Sequence, residues 1–360
     1  MKFLRLAFYV LIAQLVLSGC AGEAVEETSS SSSSEINFDA YLGRNASTRA
    51  GVTDITFLKG KEWNSGFGVF ARYNHNGNIS SLMDTEHVTW EENHWKYTNT
   101  RYWPNEGTVD FYAFAPYNPD VKLVNKPESN EANPTYIKFT SSTDPVDLLW
   151  ANAEKQTKDS ISSINGKVKF QFKHALARLG FDITAYPKLE ENGAVITVEN
   201  VKLYGDSEDK GAFDIKGYLN LEKGEWDRVV DVNTRAVYTW TPTGSEDGTS
   251  FKLSASQLDH TCEKIENAPN SYLCIIPQVK YNSFYLQITY TVKQGKLEEE
   301  VTVKKNLLEV LRPGVSHPSF SFKMGKAYVF HLKLSLDPIN FNISTTVEDF
   351  VKVNDETMIL

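Results

Sequence analysis

The chain has 360 residues, with 37 Lys and Arg against 46 Asp and Glu, and its formal net charge is -9. Proteins that bind nucleic acid hold the phosphate backbone with clustered Lys and Arg, whereas the basic residues here are scattered among acidic ones, so nucleic acid is not expected as a partner. Aromatic residues make up 12% of the chain, and 21 Gly and 13 Pro accompany them, which favours strands joined by turns over helices.

The N-terminus has the pattern of a lipoprotein signal. Lys2 and Arg5 precede an apolar segment, residues 6–17, whose last residue begins the run Leu-Ser-Gly-Cys that ends at Cys20. A helix that spans a bilayer needs about 20 apolar residues, so this segment is too short and is typical of an export signal. We predict that residues 1–19 are a signal peptide and that Cys20 becomes an acylated, palmitate-bearing N-terminus; the alternative is an ordinary secretory signal with an incidental cysteine.

A polar segment follows the cysteine. Residues 20–35 are small, acidic and rich in serine, with six consecutive serines at 29–34. Such a segment cannot bury enough apolar surface to become ordered, so we predict a flexible tether. Glu23, Glu26 and Glu27 resemble the acidic signals that send lipoproteins to the outer face of some Gram-negative outer membranes, although a merely solvated spacer explains them equally well.

The first structured region is predicted to be a β-sandwich of residues 36–163. Residues 36–41 alternate between apolar and polar side chains, residues 108–117 are apolar on both faces, and residues 147–151 add a short apolar strand. The polar, serine-containing stretch 152–167 has no periodicity, so we place the domain boundary there.

The second region, residues 164–360, is predicted to be another sandwich. The inward face changes at Lys173-His174, between residues 168–172 and 175–183, so we expect a bulge or bend there. Residues 195–203, 284–292 and 328–336 also alternate as strands do, whereas residues 304–311 suggest a short helix. Many short alternating runs without intervening helices indicate an all-β fold of two antiparallel sandwiches.

The order of several short motifs resembles one known family. The lipobox at Cys20 is followed by Ser-Thr-Arg-Ala at 47–50, the run at 110–117, Asp-Leu-Leu at 147–149, the run at 172–179, Ile-Pro-Gln at 276–278 and Gly-Lys-Ala-Tyr at 325–328. Together they are similar to the fimbrillin-like lipoproteins that build type V pili in gut and oral Gram-negative anaerobes.

The resemblance implies two tandem transthyretin-like β-sandwiches and assembly by strand exchange. In this family a trypsin-like protease is thought to cut after an arginine and release the first strand, and an extended segment of a neighbouring subunit fills the groove. Residues 36–41 would be the strand that is lost, and Arg49 the cleavage site, with Arg44 as the second choice. Anchor subunits and some tip subunits keep their first strand, so cleavage at Arg49 is left open.

The donor implied by the resemblance is the C-terminal tail from Phe341 to Leu360, which is apolar at imperfectly alternating positions. The alternative is a last strand that pairs within its own domain. The expected partners are other fimbrial subunits, the outer membrane through the lipid, and host or bacterial glycans or proteins. The expected location is the cell surface, or the fimbria after processing.

No pattern of catalytic residues stands out in the sequence. The seven histidines show no spacing typical of a zinc site, and there is no nucleophile elbow or phosphate-binding glycine loop, so we expect no enzyme activity, metal or cofactor. His174 is interpreted as a core or turn residue. A hydrolase that uses a carboxylate pair such as Asp110 and Asp147 is the remaining catalytic alternative.

Two further groups of residues are candidate features. Cys262 and Cys274 flank a turn-forming segment and are a candidate disulfide, or else two small buried thiols. Trp90, Trp95 and Trp103 lie in a polar region, where exposed rings would stack on sugars, although the same rings would also pack well inside a sandwich. They support an alternative function, that of a monomeric glycan-binding surface lipoprotein.

Overall fold

The computed structural model describes residues 35–42, 55–141, 146–162, 166–185, 194–231, 233–240, 251–253, 273–281, 284–334 and 342–349. The signal peptide, Cys20, the tether, Arg44, Arg49 and Cys262 lie outside these ranges. Within them the chain is all-β, as predicted, with three short helices. No helix among the described residues is long and apolar enough to cross a membrane.

The helices are Ile55–Leu58 (α1), Lys158–Ser162 (α2) and Leu307–Leu311 (α3). The strands up to residue 174 are Asn37–Tyr41 (β1), Phe67–His75 (β2), Asn78–Glu91 (β3), His94–Lys96 (β4), Thr108–Ala115 (β5), Leu123–Val124 (β6), Tyr136–Thr140 (β7), Leu149–Gln156 (β8), Lys167–Gln171 (β9) and Lys173–His174 (β10). The later strands are Ala177–Ala185 (β11), Ala194–Tyr204 (β12), Lys216–Asn220 (β13), Glu225–Val229 (β14), Tyr238–Trp240 (β15), Phe251–Leu253 (β16), Leu273–Ile275 (β17), Gln278–Lys280 (β18), Tyr285–Gln294 (β19), Leu297–Asn306 (β20), Phe320–Phe322 (β21), Lys326–Leu334 (β22) and Asn342–Asp349 (β23).

A six-stranded sheet is the centre of the N-terminal half. Its strand order is β10-β8-β5-β2-β3-β4, and its described pairs are antiparallel. One face, with Phe111, packs on the two-stranded sheet of β1 and β9, and the other face, with Tyr112 and Phe114, packs on a different core. The prediction that residues 108–117 are buried on both faces is therefore confirmed for β5.

The second face of this sheet meets a sheet built from both halves of the chain. Strands β6 and β7 come from the N-terminal half and β13 and β14 from the C-terminal half, in the order β14-β13-β7-β6, with Leu219 opposite Ile137. Both of these residues lie in a core that also contains Phe70 and Trp150. The two halves thus share a sheet and a core.

The C-terminal half is a sandwich of two sheets. One has the order β17-β11-β22-β23, the other has the order β15-β12-β19-β20 with β16 also paired to β12, and the largest apolar core of the described residues lies between them. Strands β18 and β21 form a separate pair.

Three features differ from the sequence-based expectations. The pairs β1–β9 and β11–β22 are parallel, because long connections carry the chain back to the same end of the sheet. Residues 152–162 continue β8 and form α2, which buries Ile161 in the first core. Strands β9 and β10 pair with β1 and β8, so they belong with the N-terminal sheets although they lie beyond residue 163. Helix α3 begins at Leu307 because the side chain of Asn306 caps it, accepting a hydrogen bond from the Leu308 amide.

Candidate functional site

The candidate site is the first strand, β1, and the part of the core that holds it. Strand β1 pairs with β9 alone among the described strands, and the pair is parallel, with Phe38 opposite Val168 and Ala40 opposite Phe170. Ile36, Phe38 and Ala40 are 0%, 1% and 6% exposed. The strand therefore inserts one apolar face into the core and is hydrogen-bonded to a neighbouring strand along one edge.

Phe38 is the central side chain of this insertion. Its ring lies among four other rings, which belong to three parts of the fold: Phe170 on β9, Tyr97 after β4, and Phe67 and Phe111 on the six-stranded sheet. The ring centroids are 5.6, 5.5, 6.4 and 5.8 Å from that of Phe38 respectively. Removing β1 would therefore uncover a groove lined with aromatic side chains, which we call the β1 seat and define by these four residues.

Hydrogen bonds hold both ends of the segment. At the start, the Ile36 amide donates to the Arg101 carbonyl at 2.8 Å, and the Tyr97 hydroxyl donates to the Ile36 carbonyl at 2.7 Å. At the end, the Phe172 amide donates to the Tyr41 carbonyl at 2.9 Å. Burial raises the pKa of the Tyr97 hydroxyl, so this group remains protonated and able to donate over the physiological pH range.

The free energy that fixes β1 is moderate. Complete burial of an aliphatic or aromatic side chain contributes about 1.5 to 3 kcal/mol, so Ile36 and Phe38 together contribute about 3 to 6 kcal/mol before ordering costs. An extended segment with apolar residues at three alternate positions would recover a similar amount in the same seat.

The predicted glycan-contact residues lie largely in this core. Trp95 and Trp103 are 4% and 7% exposed, and their rings contact Phe67 and Phe111 of the seat. A sugar could not stack on either ring without opening the core, so the expectation of exposed rings is wrong for these two residues. Trp90 is partly buried against the same core, with the Lys59 ammonium 3.9 Å from its ring centroid.

Part of the C-terminal segment pairs with a strand of its own half of the chain. Residues 342–349 form β23, which pairs antiparallel with β22, and Ile343 is buried whereas Val347 is exposed. For these residues the structure has the pairing of the alternative, a last strand within its own domain. Residues 350–360 lie outside the described residues.

The other sequence candidates are not brought into a site. Asp110 accepts a hydrogen bond from the Lys155 amide near one end of β5, whereas Asp147 precedes Leu149, which pairs with Ala115 at the other end, so these two carboxylates are far apart. Asp147 instead contacts the buried His174, with 2.7 Å between Oδ2 and Nδ1, as expected for a core histidine.

Neither a disulfide nor a metal site is defined by the described residues. Cys274 is a buried free cysteine, and burial raises the pKa of its thiol; its predicted partner, Cys262, lies outside the described ranges. No group of three or more His, Cys, Asp and Glu side chains in the described ranges is arranged to hold a metal ion.

Sequence reasoning identified the first strand but not its surroundings. Tyr97 and Phe170 form half of the β1 seat, but Phe170 falls in the region predicted to be the second sandwich, and Tyr97 lies between the candidate glycan-contact residues Trp95 and Trp103. The available signal was the density of aromatic residues at 90–103, which also indicates a core.

Comparisons with known proteins identify similar sequences. A family model described as fimbrillin-like matches residues 48–349. The chain is 24% identical to fimbrium subunit Fim1C of Phocaeicola vulgatus over 386 aligned positions, which cover 96% of each protein.

Solved structures have the same fold. A fimbrial protein from Bacteroides vulgatus superposes with a TM-score of 0.63 at 21% identity, over 88% of this chain and 99% of the other. A putative cell adhesion protein from Bacteroides uniformis superposes with a TM-score of 0.51 at 16% identity, over 88% and 100% respectively.

Proposed function

The chain belongs to the fimbrillin-like family, and on that basis we propose that it is a structural or adhesive subunit of a cell-surface fimbria that assembles by strand exchange. In this proposal β1 is a placeholder strand, cleavage after Arg49 frees it, and an extended segment of a neighbouring subunit takes its position. The relative that covers 96% of this chain is itself named a fimbrium subunit.

The observation that carries the proposal is the way β1 is held. It is short, it is hydrogen-bonded to one neighbouring strand among those described, and its inward side chains are buried, with Phe38 among the four aromatic rings of the β1 seat. Strand addition at such a groove uses backbone hydrogen bonds for affinity and alternate side chains for fit. A strand in the middle of a sheet would have to break hydrogen bonds along both edges before it could leave.

The donor in this proposal is the C-terminal tail beyond β23. Residues 350–360 include Phe350, Val351, Val353 and the apolar end 358–360. Because β23 is paired with β22, the donor is either this distal segment alone or a longer segment that first detaches β23. The lipid on Cys20 anchors the unprocessed subunit to the outer membrane, and replacing Cys20 with Ser should remove both acyl labelling and membrane association.

Limited trypsin digestion tests the proposal. The chain from Ala21 onward is used, since it contains every described residue. Cleavage after Arg49 should release the leading peptide and produce ladders on native gels. Because trypsin can also cut after Arg44, which follows β1 as well, the double variant Arg44→Gln/Arg49→Gln should prevent both, whereas Arg44→Gln alone should prevent neither. Removal of residues 350–360 should allow cleavage but abolish the ladders. A cleaved chain with an intact tail that remains monomeric, with β1 lost, would contradict assembly by strand exchange.

A further inference from the structure

A group of basic side chains surrounds one buried carboxylate near the edge strand β14. The Asp214 side chain is 1% exposed, and it accepts hydrogen bonds from Arg228 at Oδ2 and from Arg235 at Oδ1, the latter at 2.8 Å. The third cation is Lys280, which is 6% exposed and whose ammonium donates to the Ala212 carbonyl. This basic cluster of Arg228, Arg235 and Lys280 therefore carries three positive charges against one negative charge.

The backbone around the cluster is fixed by tight packing. The Asp214 amide donates to Gln278 Oε1 at 3.1 Å, and Gln278 Nε2 donates back to the Asp214 carbonyl at 3.2 Å. A Cβ on Gly211 would lie 2.2 Å from the Arg235 carbonyl carbon, so these two backbone segments are in direct contact. The basic side chains are consequently held together on a rigid frame.

The excess positive charge is costly in this position. The pKa of Lys280 is lowered to about 8, mainly by burial and next by the charge of the nearby Arg235; Asp214 raises this pKa and Arg228 lowers it. A buried charge is normally paired, because the loss of hydration must be compensated. The two guanidinium side chains are 27% and 28% exposed, so a group from solution can reach them.

The remaining donors suit an anion. Among the described residues, hydrogen bonds use one nitrogen of each guanidinium, Nη1 of Arg228 and Nε of Arg235. A guanidinium has five N–H donors in a planar fork, which matches the oxygens of a carboxylate or a sulfate. An anion bound there would also reduce the repulsion that acts on the Lys280 ammonium.

We propose that the basic cluster is a binding site for an oxyanion group of the carboxylate or sulfate class, with Arg228 and Arg235 as direct ligands and Lys280 as a nearby cation. This site is separate from the β1 seat, and it does not depend on strand exchange. The ligand is either a free anion or the acid group of a sugar.

Lysine-selective NMR on the chain from Ala21 onward tests the site. The chain is labelled with ¹³C at lysine Cε, the Lys280 signal is assigned with Lys280→Arg, and its pKa is measured from about pH 6 to about pH 11 in a chloride buffer. Sulfate, acetate and glucuronate are then added in turn, each up to about 100 mM at constant ionic strength, with glucose as the neutral control for the sugar.

The site predicts a Lys280 pKa near 8 in chloride that rises in saturating sulfate. Arg235→Gln should weaken sulfate binding at least about tenfold, whereas Lys296→Gln, which changes an exposed lysine, should leave it unchanged. Tighter binding of glucuronate than of acetate would identify an acidic sugar as the ligand, and equal binding would identify a free anion.

Two results on the unmutated chain would overturn the site, whether or not the variants fold. One is an ordinary lysine pKa for Lys280 in chloride, which would mean that the charge excess is already neutralised within the chain. The other is the lack of a saturable Lys280 response to both sulfate and acetate.

Discussion

Replacing Phe38 with Ala separates the two roles of β1, in the stability of the subunit and in its exchange. Phe38 is 1% exposed and packs against four rings, so the substitution removes most of the apolar contact between β1 and its seat. Truncation of a buried Phe to Ala costs about 3 to 5 kcal/mol. We expect the free energy of unfolding of the uncleaved chain to fall by that amount, as measured by urea denaturation.

The same substitution should accelerate strand exchange, because it weakens the binding of β1 but leaves the side chains of the incoming donor strand unchanged. Contacts that are already broken in the transition state for release no longer slow that step once the substitution has removed them. A loss of about 3 kcal/mol in the free energy that binds β1 to its seat can then raise the rate of peptide release from the cut chain up to about a hundredfold. A specific protease sequence inserted between residues 47 and 51 makes the cut independent of Arg49, and mass spectrometry follows release of the leading peptide.

The matched control is Asn37→Ala, which changes the outward neighbour of Phe38 on the same strand. It should alter stability by less than about 0.5 kcal/mol and leave the release rate unchanged. A Phe38→Ala chain that loses less than about 1 kcal/mol, or that loses stability without releasing its peptide faster, would refute the placeholder role of β1.

Three other predictions follow from the described contacts. Tyr97→Phe removes the hydroxyl that donates to the Ile36 carbonyl, so it should cost about 1 to 3 kcal/mol of unfolding free energy and speed peptide release; unchanged release would exclude Tyr97 as a clamp. Trp95→Ala should cost about 3 to 5 kcal/mol, whereas Trp63→Ala, at a residue 72% exposed, should cost less than about 0.5; the reverse order in urea denaturation would place Trp95 on the surface. Lys280 has a pKa of about 8 in the folded chain, lowered from about 10.4 in the unfolded one, so the unfolded state binds more protons between these pH values. The free energy of unfolding of the chain, relative to that of Lys280→Met, should therefore rise with pH from about 8 to about 10 and be constant below 8. A difference that is constant over this window would contradict the burial of the ammonium.

Local patterns in the sequence predicted much of the secondary structure. The alternation at 36–41, the doubly apolar run that contains β5, and the change of face at Lys173-His174 each correspond to observed features, the last to the passage from β9 to β10. These features depend on the two-residue period of a strand, which is a property of adjacent residues. The ordered motifs also indicated the fimbrillin-like family, to which the chain belongs.

Other features depended on distant parts of the chain. The parallel partner of β1 lies about 130 residues later, the sheet of β6, β7, β13 and β14 joins both halves, and Trp95 lies inside a core although its neighbours in sequence are polar. A two-residue period specifies which side chains share a face, but it does not specify which strand covers that face.

The sequence by itself therefore determined that the chain is all-β, that residues 36–41 form a two-faced strand, and that fimbrillin motifs occur in order. Only the tertiary structure decided that this strand is held by one neighbouring strand among those described, over an aromatic groove. It also decided that Asp110 and Asp147 are apart, and that Arg228 and Arg235 pair with Asp214 near the buried Lys280. The physical reason is that alternation is set by the geometry of one strand, whereas the neighbours of a buried side chain are set by how distant segments pack to exclude water.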